Sequence, residues 1–281
     1  MNPLTYPERL WHLVMSSLEE FGRFSMFMVQ VFRWAGITLR NWAACAVAAV
    51  THRPGPRPLE VRETFEQMVL AGVTSIPVSL VTAMFTGMVM ALQMGLTLER
   101  KMSGISQYLG GMVSVTMLRE LGPVLTGLIV TGRVGSAIAA EIGTMKVTEQ
   151  VDALETLATN PVKYLVVPRA VALVCMMPVL TMFADAIGVL GGCLVARFRF
   201  EQSITMYMGN ALQLVVLSDL FSGLTKSLFF GLIIATVSCY KGFGTSGGAE
   251  GVGRATTSAV VISSMGILVS DYFLTGIMSV F

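Results

Sequence analysis

The pattern of hydrophobic and polar positions divides most of the chain into long apolar runs separated by short polar segments. The first of these runs, residues 69–98, contains no charged side chain in thirty positions. At about 1.5 Å per residue, a helix of that length exceeds the roughly 30 Å hydrocarbon core of a bilayer. Pro77 lies inside the run and allows a kink. The run therefore predicts a membrane-spanning helix.

Four further runs have the same character, and each contains only a few charged residues. They lie at about 104–138, 166–196, 214–240 and 255–280. Only 13% of all residues are charged, whereas a soluble domain has roughly 25%. We therefore predict an all-α integral membrane protein, in which residues 63–281 form a domain of five transmembrane helices.

The first 62 residues have a different pattern, which predicts an amphipathic helix in the membrane interface followed by a linker. One helical face is apolar and carries Trp11, Val14, Met15, Leu18 and Phe21. The opposite face is polar and carries Arg9, Ser16, Glu19, Glu20 and Arg23. Residues 25–50 are apolar but contain Arg33 and Arg40, so a sixth span stays an open alternative. Prolines mark residues 52–58 as a linker.

Basic residues predict the orientation of the five spans, because cytoplasmic loops carry an excess of lysine and arginine. With the N-terminus in the cytoplasm, thirteen basic side chains fall in inside segments and four in outside loops. This orientation places the C-terminus outside the membrane. It also places the polar segment 141–161 in the cytoplasm, between spans two and three.

The segment 141–161 is acidic and predicts a helix at about 147–159. Its four carboxylates are Glu141, Glu149, Asp152 and Glu155. Val147, Val151, Leu154 and Ala158 share one helical face, and Asn160 with Pro161 ends the helix. Two interpretations are open: a solvated loop helix, or a docking helix that receives force from a soluble partner.

Charged residues interrupt the apolar spans, among them Asp185 and Asp219, and four of them carry the most information: Arg119, Glu120, Lys226 and Asp271. A charge at the centre of a bilayer costs at least ~2.5 kcal/mol, so it usually faces a cavity or an opposite charge. Adjacent helix residues point about 100° apart, so Arg119 and Glu120 cannot make the same contact. We expect either structural pairing or a polar patch in a substrate path. As the partner of Lys226 we favour Glu120 slightly over Asp271.

Motifs for catalysis and cofactor binding do not fit their context. Residues 242–248, GFGTSGG, match both G-x-G-x-x-G and G-x-S-x-G, but they follow an apolar helix. His12 and His52 lie far upstream of Ser246, so we predict a turn between spans four and five. The chain has no phosphate-binding loop, its four cysteines are scattered, and its net charge is only +2. We therefore expect no cofactor, no metal site and no nucleic-acid partner.

Residues 118–169, LRELGPVLTGLIVTGRVGSAIAAEIGTMKVTEQVDALETLATNPVKYLVVPR, resemble the MlaE/YrbE family. These proteins are permease subunits of ABC transporters that work with MCE-domain lipid-binding proteins. The likeness continues through KSLFF at 226–230 and through residues 253–278. It covers about residues 65–281, although the charged loop at 98–108 departs from the family pattern.

The resemblance implies a homodimer in a bacterial inner membrane, with two cytoplasmic ATPase subunits and a periplasmic ring of MCE proteins. Phospholipids would pass through an outward-facing cavity beside Arg119, Glu120, Lys226 and Asp271. The helix at 147–159 would dock in the ATPase through Glu149, Val151, Asp152, Leu154 and Glu155. The chain itself would be non-catalytic. The alternatives are a structural scaffold for an MCE complex and a membrane-embedded lipid enzyme.

Overall fold

The computed structural model describes residues 22–27, 29–30, 33, 59–101 and 108–278, and the regular structure in these ranges is helical. The predicted interfacial face from Trp11 to Phe21 lies outside the described residues. The linker at 52–58 and most of the possible sixth span at 25–50 also lie outside them.

The described part of the chain from residue 59 onwards forms a bundle of helices. In chain order they are α1 (Leu59–Gly72), α2 (Ile76–Lys101), α3 (Leu109–Val147), α4 (Gln150–Thr156), α5 (Val162–Arg199), α6 (Ile204–Leu214), α7 (Leu217–Phe243) and α8 (Gly248–Met278). Five segments in this part are long and apolar enough to cross a membrane: α1 with α2, then α3, α5, α7 and α8. The predicted count of five spans is therefore confirmed.

The first span is broken close to the predicted kink. Residues 73–75 form a turn, and α2 begins at Ile76, so that Pro77 lies in its first turn. Proline is tolerated there because the first N–H groups of a helix have no partner within the helix. Pro77 therefore marks the start of a new helix instead of a bend in a continuous one.

The core of the bundle is built around α5, which packs against α1, α2, α3 and α7. Its side chains Leu173, Met177 and Leu180 form a buried cluster with Phe230 and Ile234 of α7. In contrast, α8 lies at the edge of the monomer. Its exposed side carries large apolar residues, namely Val261, Met265, Leu268, Val269, Tyr272, Phe273 and Ile277.

The two ends of the bundle differ in character and are called the acidic end and the opposite end. The acidic end contains α4, the segment 141–161 and the turn between α7 and α8. The opposite end contains α6 and the first residues of α3 and α7. We predict that the acidic end is cytoplasmic.

The helix in the acidic segment is shorter than predicted. The segment 147–159 contains α4, Gln150–Thr156, whereas Val147 ends α3. Glu149 and Ala158 have positive φ angles of 61° and 54°, and this left-handed backbone terminates the helix on both sides. Neither position is a glycine, so the sequence carries no signal for the two breaks.

Candidate functional site

The candidate site is a group of polar side chains from α3, α7 and α8, called here the charged cluster. Its members are Arg119, Glu120, Asp219, Lys226, Asp271 and Thr275. Lys226 is the centre of the cluster, and its side chain is only 1% exposed. Its Nζ lies 2.7 Å from Glu120 Oε2 and 3.0 Å from Asp271 Oδ1. Both carboxylates considered as partners therefore contact this lysine.

Thr275 is a member of the cluster that the sequence analysis missed. Lys226 Nζ donates to Thr275 Oγ1 at 2.6 Å. The same hydroxyl lies 3.2 Å from Glu120 Oε1 and donates to the Asp271 carbonyl at 2.8 Å. Threonine is common in membrane helices, so only its position one turn after Asp271 on α8 could have indicated a role.

The backbone of α3 supplies a further acceptor for Lys226. Arg119 and Glu120 lie in a π-helical turn, Met117–Leu121, that is followed by Gly122 and Pro123. Pro123 has no N–H group, so the carbonyl of Arg119 lacks the donor that an α-helix supplies four residues later. Lys226 Nζ donates to this carbonyl at 3.0 Å. Lys226 therefore supplies a hydrogen-bond donor to the Arg119 carbonyl, to which Pro123 cannot donate.

Arg119 points away from Lys226, as the helical geometry predicted, and pairs with Asp219 of α7. Its Nε lies 3.1 Å from Asp219 Oδ1. The other carboxylate oxygen of Asp219 accepts the backbone N–H of Val216 at 3.0 Å, and this bond caps the start of α7. Asp219 lies within the predicted fourth span, at 214–240, but its pairing was not predicted.

A close approach between α7 and α3 positions Lys226. The backbone of Gly223 lies against the carbonyl oxygen of Leu118, and an added Cβ would overlap that oxygen. Gly223 precedes Lys226 by about one turn, so this contact sets the depth at which the lysine meets Arg119 and Glu120. Small residues at helix contacts are typical of membrane bundles, because they allow backbones to approach closely.

The cluster borders a concavity of about 580 Å³ on the exposed side of α8. Its lining residues are Glu120, Leu268, Asp271, Tyr272, Phe273, Thr275, Gly276 and Ile277. Glu120 is 37% exposed and Asp271 is 20% exposed. The concavity thus combines carboxylates with aromatic and aliphatic walls, and its volume lies within the range of about 300–1,000 Å³ that is usual for small-molecule sites.

At the acidic end, the residues predicted to dock a partner differ in their exposure and in their ion pairs. Glu149, Asp152 and Glu155 are exposed, and Lys146 Nζ lies 2.6 Å from Asp152 Oδ1. Glu141 instead pairs with the buried Arg169 of α5 at 2.8 Å.

The apolar side of α4 differs from the prediction. Val151 is only 3% exposed and packs within the chain, so in this conformation it is not available to a partner's groove. Leu154 is half-buried, whereas Leu157, which the sequence analysis did not name, is 74% exposed. The sequence could not distinguish these positions because Val151 lies in a concavity whose other lining residues, such as Tyr240 and Arg254, are distant in the chain.

The turn between α7 and α8, residues 244–247, lies within the GFGTSGG motif, as predicted, while Phe243 ends α7 and Gly248 begins α8. Gly247 and Gly248 have positive φ angles of 89° and 69°, which glycine adopts without strain. Ser246 faces a concavity of about 920 Å³ at the acidic end, together with Val151, Glu155 and Arg254. The rings of Phe24 and Tyr240 pack beside it with centroids 5.1 Å apart.

Five apolar spans, a charged cluster within them and an acidic segment at one end are typical of a multi-pass membrane permease. The model of the family described as Permease MlaE matches residues 64–277. The chain therefore belongs to the MlaE permease family, which confirms the resemblance. It is a non-catalytic membrane subunit of an ABC transporter, and the ATPase is a separate partner chain.

Named relatives agree with this assignment. The chain is 48% identical over 223 residues to a probable ABC transporter permease protein of Rickettsia typhi, covering 78% of this chain and 83% of the relative. It is 45% identical over 217 residues to a probable ABC transporter permease protein of Synechocystis, covering 77% and 82%. It is 36% identical over 252 residues to Protein TRIGALACTOSYLDIACYLGLYCEROL 1, chloroplastic, of Arabidopsis thaliana, covering 90% and 70%.

Proposed function

We propose that the chain moves phospholipids between a bacterial inner membrane and a periplasmic MCE-domain partner, using force from cytoplasmic ATPase subunits. The observation that carries this proposal is the concavity of about 580 Å³ between the charged cluster and the apolar side of α8. Charged groups are costly within a bilayer and are retained where they face a cavity that polar molecules enter.

The lining of the concavity suits an amphiphile. Glu120, Asp271 and Thr275 offer polar contacts to a headgroup, while Leu268 and Phe273 offer apolar contacts to an acyl chain. The relative from Arabidopsis carries the name of a diacylglycerol glycolipid, which supports a lipid as the class of substrate.

A second copy of the chain completes the proposed path. The exposed side of α8 is apolar from Val261 to Ile277, and the concavity lies on that side. Packing of this surface against the same surface of a second subunit would enclose the concavity between two copies. Such a two-fold arrangement is the commonest one among homo-oligomers.

Coupling to the ATPase is assigned to the acidic segment. Glu149, Asp152 and Glu155 present negative charge, and Leu157 presents an exposed apolar side chain. Val151 lies on the inner side of α4 and faces the same concavity as Arg254 of α8. α4 also packs against the end of α3, and that part of α3 packs against α8. A push on α4 would therefore reach α8 through α3, and the far end of α8 borders the charged cluster.

The test is lipid transfer by the reconstituted complex. The permease with its ATPase is placed in liposomes that contain an acyl-labelled phospholipid, and transfer to the soluble MCE domain is measured with and without ATP. We expect ATP-dependent transfer that Lys226→Ala abolishes. Lys163→Ala, a change of a half-buried lysine outside the cluster, serves as the matched control and should leave transfer unchanged.

The same preparation separates a transporter from a scaffold. A transporter should show ATPase activity that phospholipid stimulates and that Lys226→Ala reduces. ATPase activity independent of lipid, in an intact complex that transfers none, would contradict the proposal and favour a scaffold.

A further inference from the structure

The hydrogen bonds of Lys226 help to indicate which lipid headgroup the concavity accepts. This inference rests on the proposed function. Lys226 Nζ donates to the Arg119 carbonyl at 3.0 Å, to Glu120 Oε2 at 2.7 Å and to Thr275 Oγ1 at 2.6 Å. An ammonium group has three protons. These three bonds use all of them, so none remains for Asp271.

Asp271 is consequently paired by charge alone. Its Oδ1 lies 3.0 Å from Lys226 Nζ, yet it has no hydrogen-bond partner among the described residues. A carboxylate oxygen that is shielded from water and lacks a donor is costly to leave in that state. The shielded Oδ1 is not open to a ligand, but the Asp271 side chain is 20% exposed and lines the concavity, so a donor from a molecule in the concavity can reach the exposed part of this carboxylate.

The charge that the concavity presents is negative. Glu120 and Asp271 line it, whereas no lysine or arginine is among its described lining residues. Lys226, 1% exposed, lies behind the carboxylates and is not accessible to a ligand. A phosphate or a carboxylate on a ligand would therefore meet like charge at this position.

Aromatic rings complete the lining. The rings of Tyr272 and Phe273 are 5.6 Å apart and nearly perpendicular, at 76°, and both side chains are exposed. Aromatic faces attract ammonium groups through the cation–π interaction, and carboxylates bind them through charge-assisted hydrogen bonds. The carboxylates and the aromatic rings together are complementary to an organic ammonium ion.

We infer that the concavity selects phospholipids whose headgroup ends in a primary ammonium, as in phosphatidylethanolamine, over those with a net anionic headgroup, as in phosphatidylglycerol. The N–H groups of ethanolamine donate to the exposed parts of the Asp271 and Glu120 carboxylates. Choline carries the same charge without an N–H donor, so phosphatidylcholine should rank between the other two.

The experiment compares headgroups at constant acyl chains. The full complex is reconstituted with acyl-labelled phosphatidylethanolamine, phosphatidylcholine or phosphatidylglycerol, and ATP-dependent transfer to the MCE domain is measured for each. We expect phosphatidylethanolamine to be transferred several-fold faster than phosphatidylglycerol. Asp271→Asn and Tyr272→Leu should each lower that ratio towards one. Tyr164→Leu, a change of an exposed tyrosine at the acidic end, should preserve it.

A binding measurement keeps this inference separate from the proposed function. Short-chain versions of the three lipids are titrated onto the detergent-purified permease without ATPase, and the change in melting temperature is recorded. A larger shift with the ethanolamine lipid, lost in Tyr272→Leu, supports the inference even if no lipid is transported. Equal shifts, or equal transfer rates for the ethanolamine and glycerol headgroups, would overturn it.

Discussion

Two lysine–carboxylate pairs of almost equal length lie at different ends of this bundle. Lys146 and Asp152 are 2.6 Å apart at the acidic end, where their side chains are 34% and 53% exposed. Lys226 and Glu120 are 2.7 Å apart in the charged cluster, where the lysine is 1% exposed. Distance therefore does not distinguish the pairs, whereas solvent access does. The exposed pair remains hydrated and is worth little, while the loss of one partner of the buried pair leaves an uncompensated charge.

The largest effect is expected from Lys226→Ala. This change leaves Glu120 and Asp271 close together without a counter-charge and also removes the donor to the Arg119 carbonyl. Breaking a buried pair in this way typically costs roughly 3–5 kcal/mol. We expect a lower melting temperature in detergent together with loss of lipid transfer.

A double-mutant cycle sharpens this prediction. Combining Lys226→Met with Glu120→Gln should cost less than the sum of the two single changes, because the second change removes a charge that the first exposed. The same holds for Lys226→Met with Asp271→Asn. Strict additivity in both cycles, measured by melting temperature, would show that the lysine does not pair with either carboxylate.

The next largest effect is expected from Gly223→Val. The added side chain would overlap the Leu118 carbonyl and push α7 away from α3, so that Lys226 loses its contacts with Arg119 and Glu120. We expect a loss of lipid transfer with a smaller loss of stability than Lys226→Ala produces. The matched control is Gly209→Val, at a glycine of α6 with no neighbour close to an added Cβ. Equal effects of the two changes would contradict the proposed role of the close approach.

A charge reversal at the acidic end should affect assembly and leave the fold intact. The triple change of Glu149, Asp152 and Glu155 to lysine alters exposed side chains, so the melting temperature of the isolated permease should change little. The ATPase should be released during purification, because its predicted docking surface has changed sign. Unchanged co-purification would remove α4 from the docking surface.

The smallest effect is expected from Lys146→Ala. Exposed ion pairs usually contribute about 0–1 kcal/mol, so the melting temperature should remain close to that of the unmodified chain. A loss as large as that of Lys226→Ala would show that solvent access does not account for the difference between the two pairs.

The sequence predicted the five spans and most members of the charged cluster. Both predictions rest on local properties of the chain. Each apolar run is long enough to cross a bilayer, and a charge such as Lys226 or Asp271 stands out within it. The pattern around Arg119 and Glu120 also predicted that they would have different partners, since that follows from helical geometry. The helix in the acidic segment is shorter than the predicted 147–159, because left-handed backbone at Glu149 and Ala158 limits it and neither residue is a glycine.

The sequence by itself therefore determined which segments enter the membrane, since a bilayer accepts backbone only when its hydrogen bonds are satisfied within each helix. Only the tertiary structure decided which polar groups meet. The contact of Lys226 with Thr275 joins residues that are 49 positions apart, and its contact with the Arg119 carbonyl joins residues that are 107 apart. Such contacts depend on how deeply α7 sits against α3, which Gly223 permits but no local pattern specifies. The same reason explains why Asp271 Oδ1 has no hydrogen-bond partner among the described residues: the packing of three helices directs the three protons of Lys226 to other acceptors.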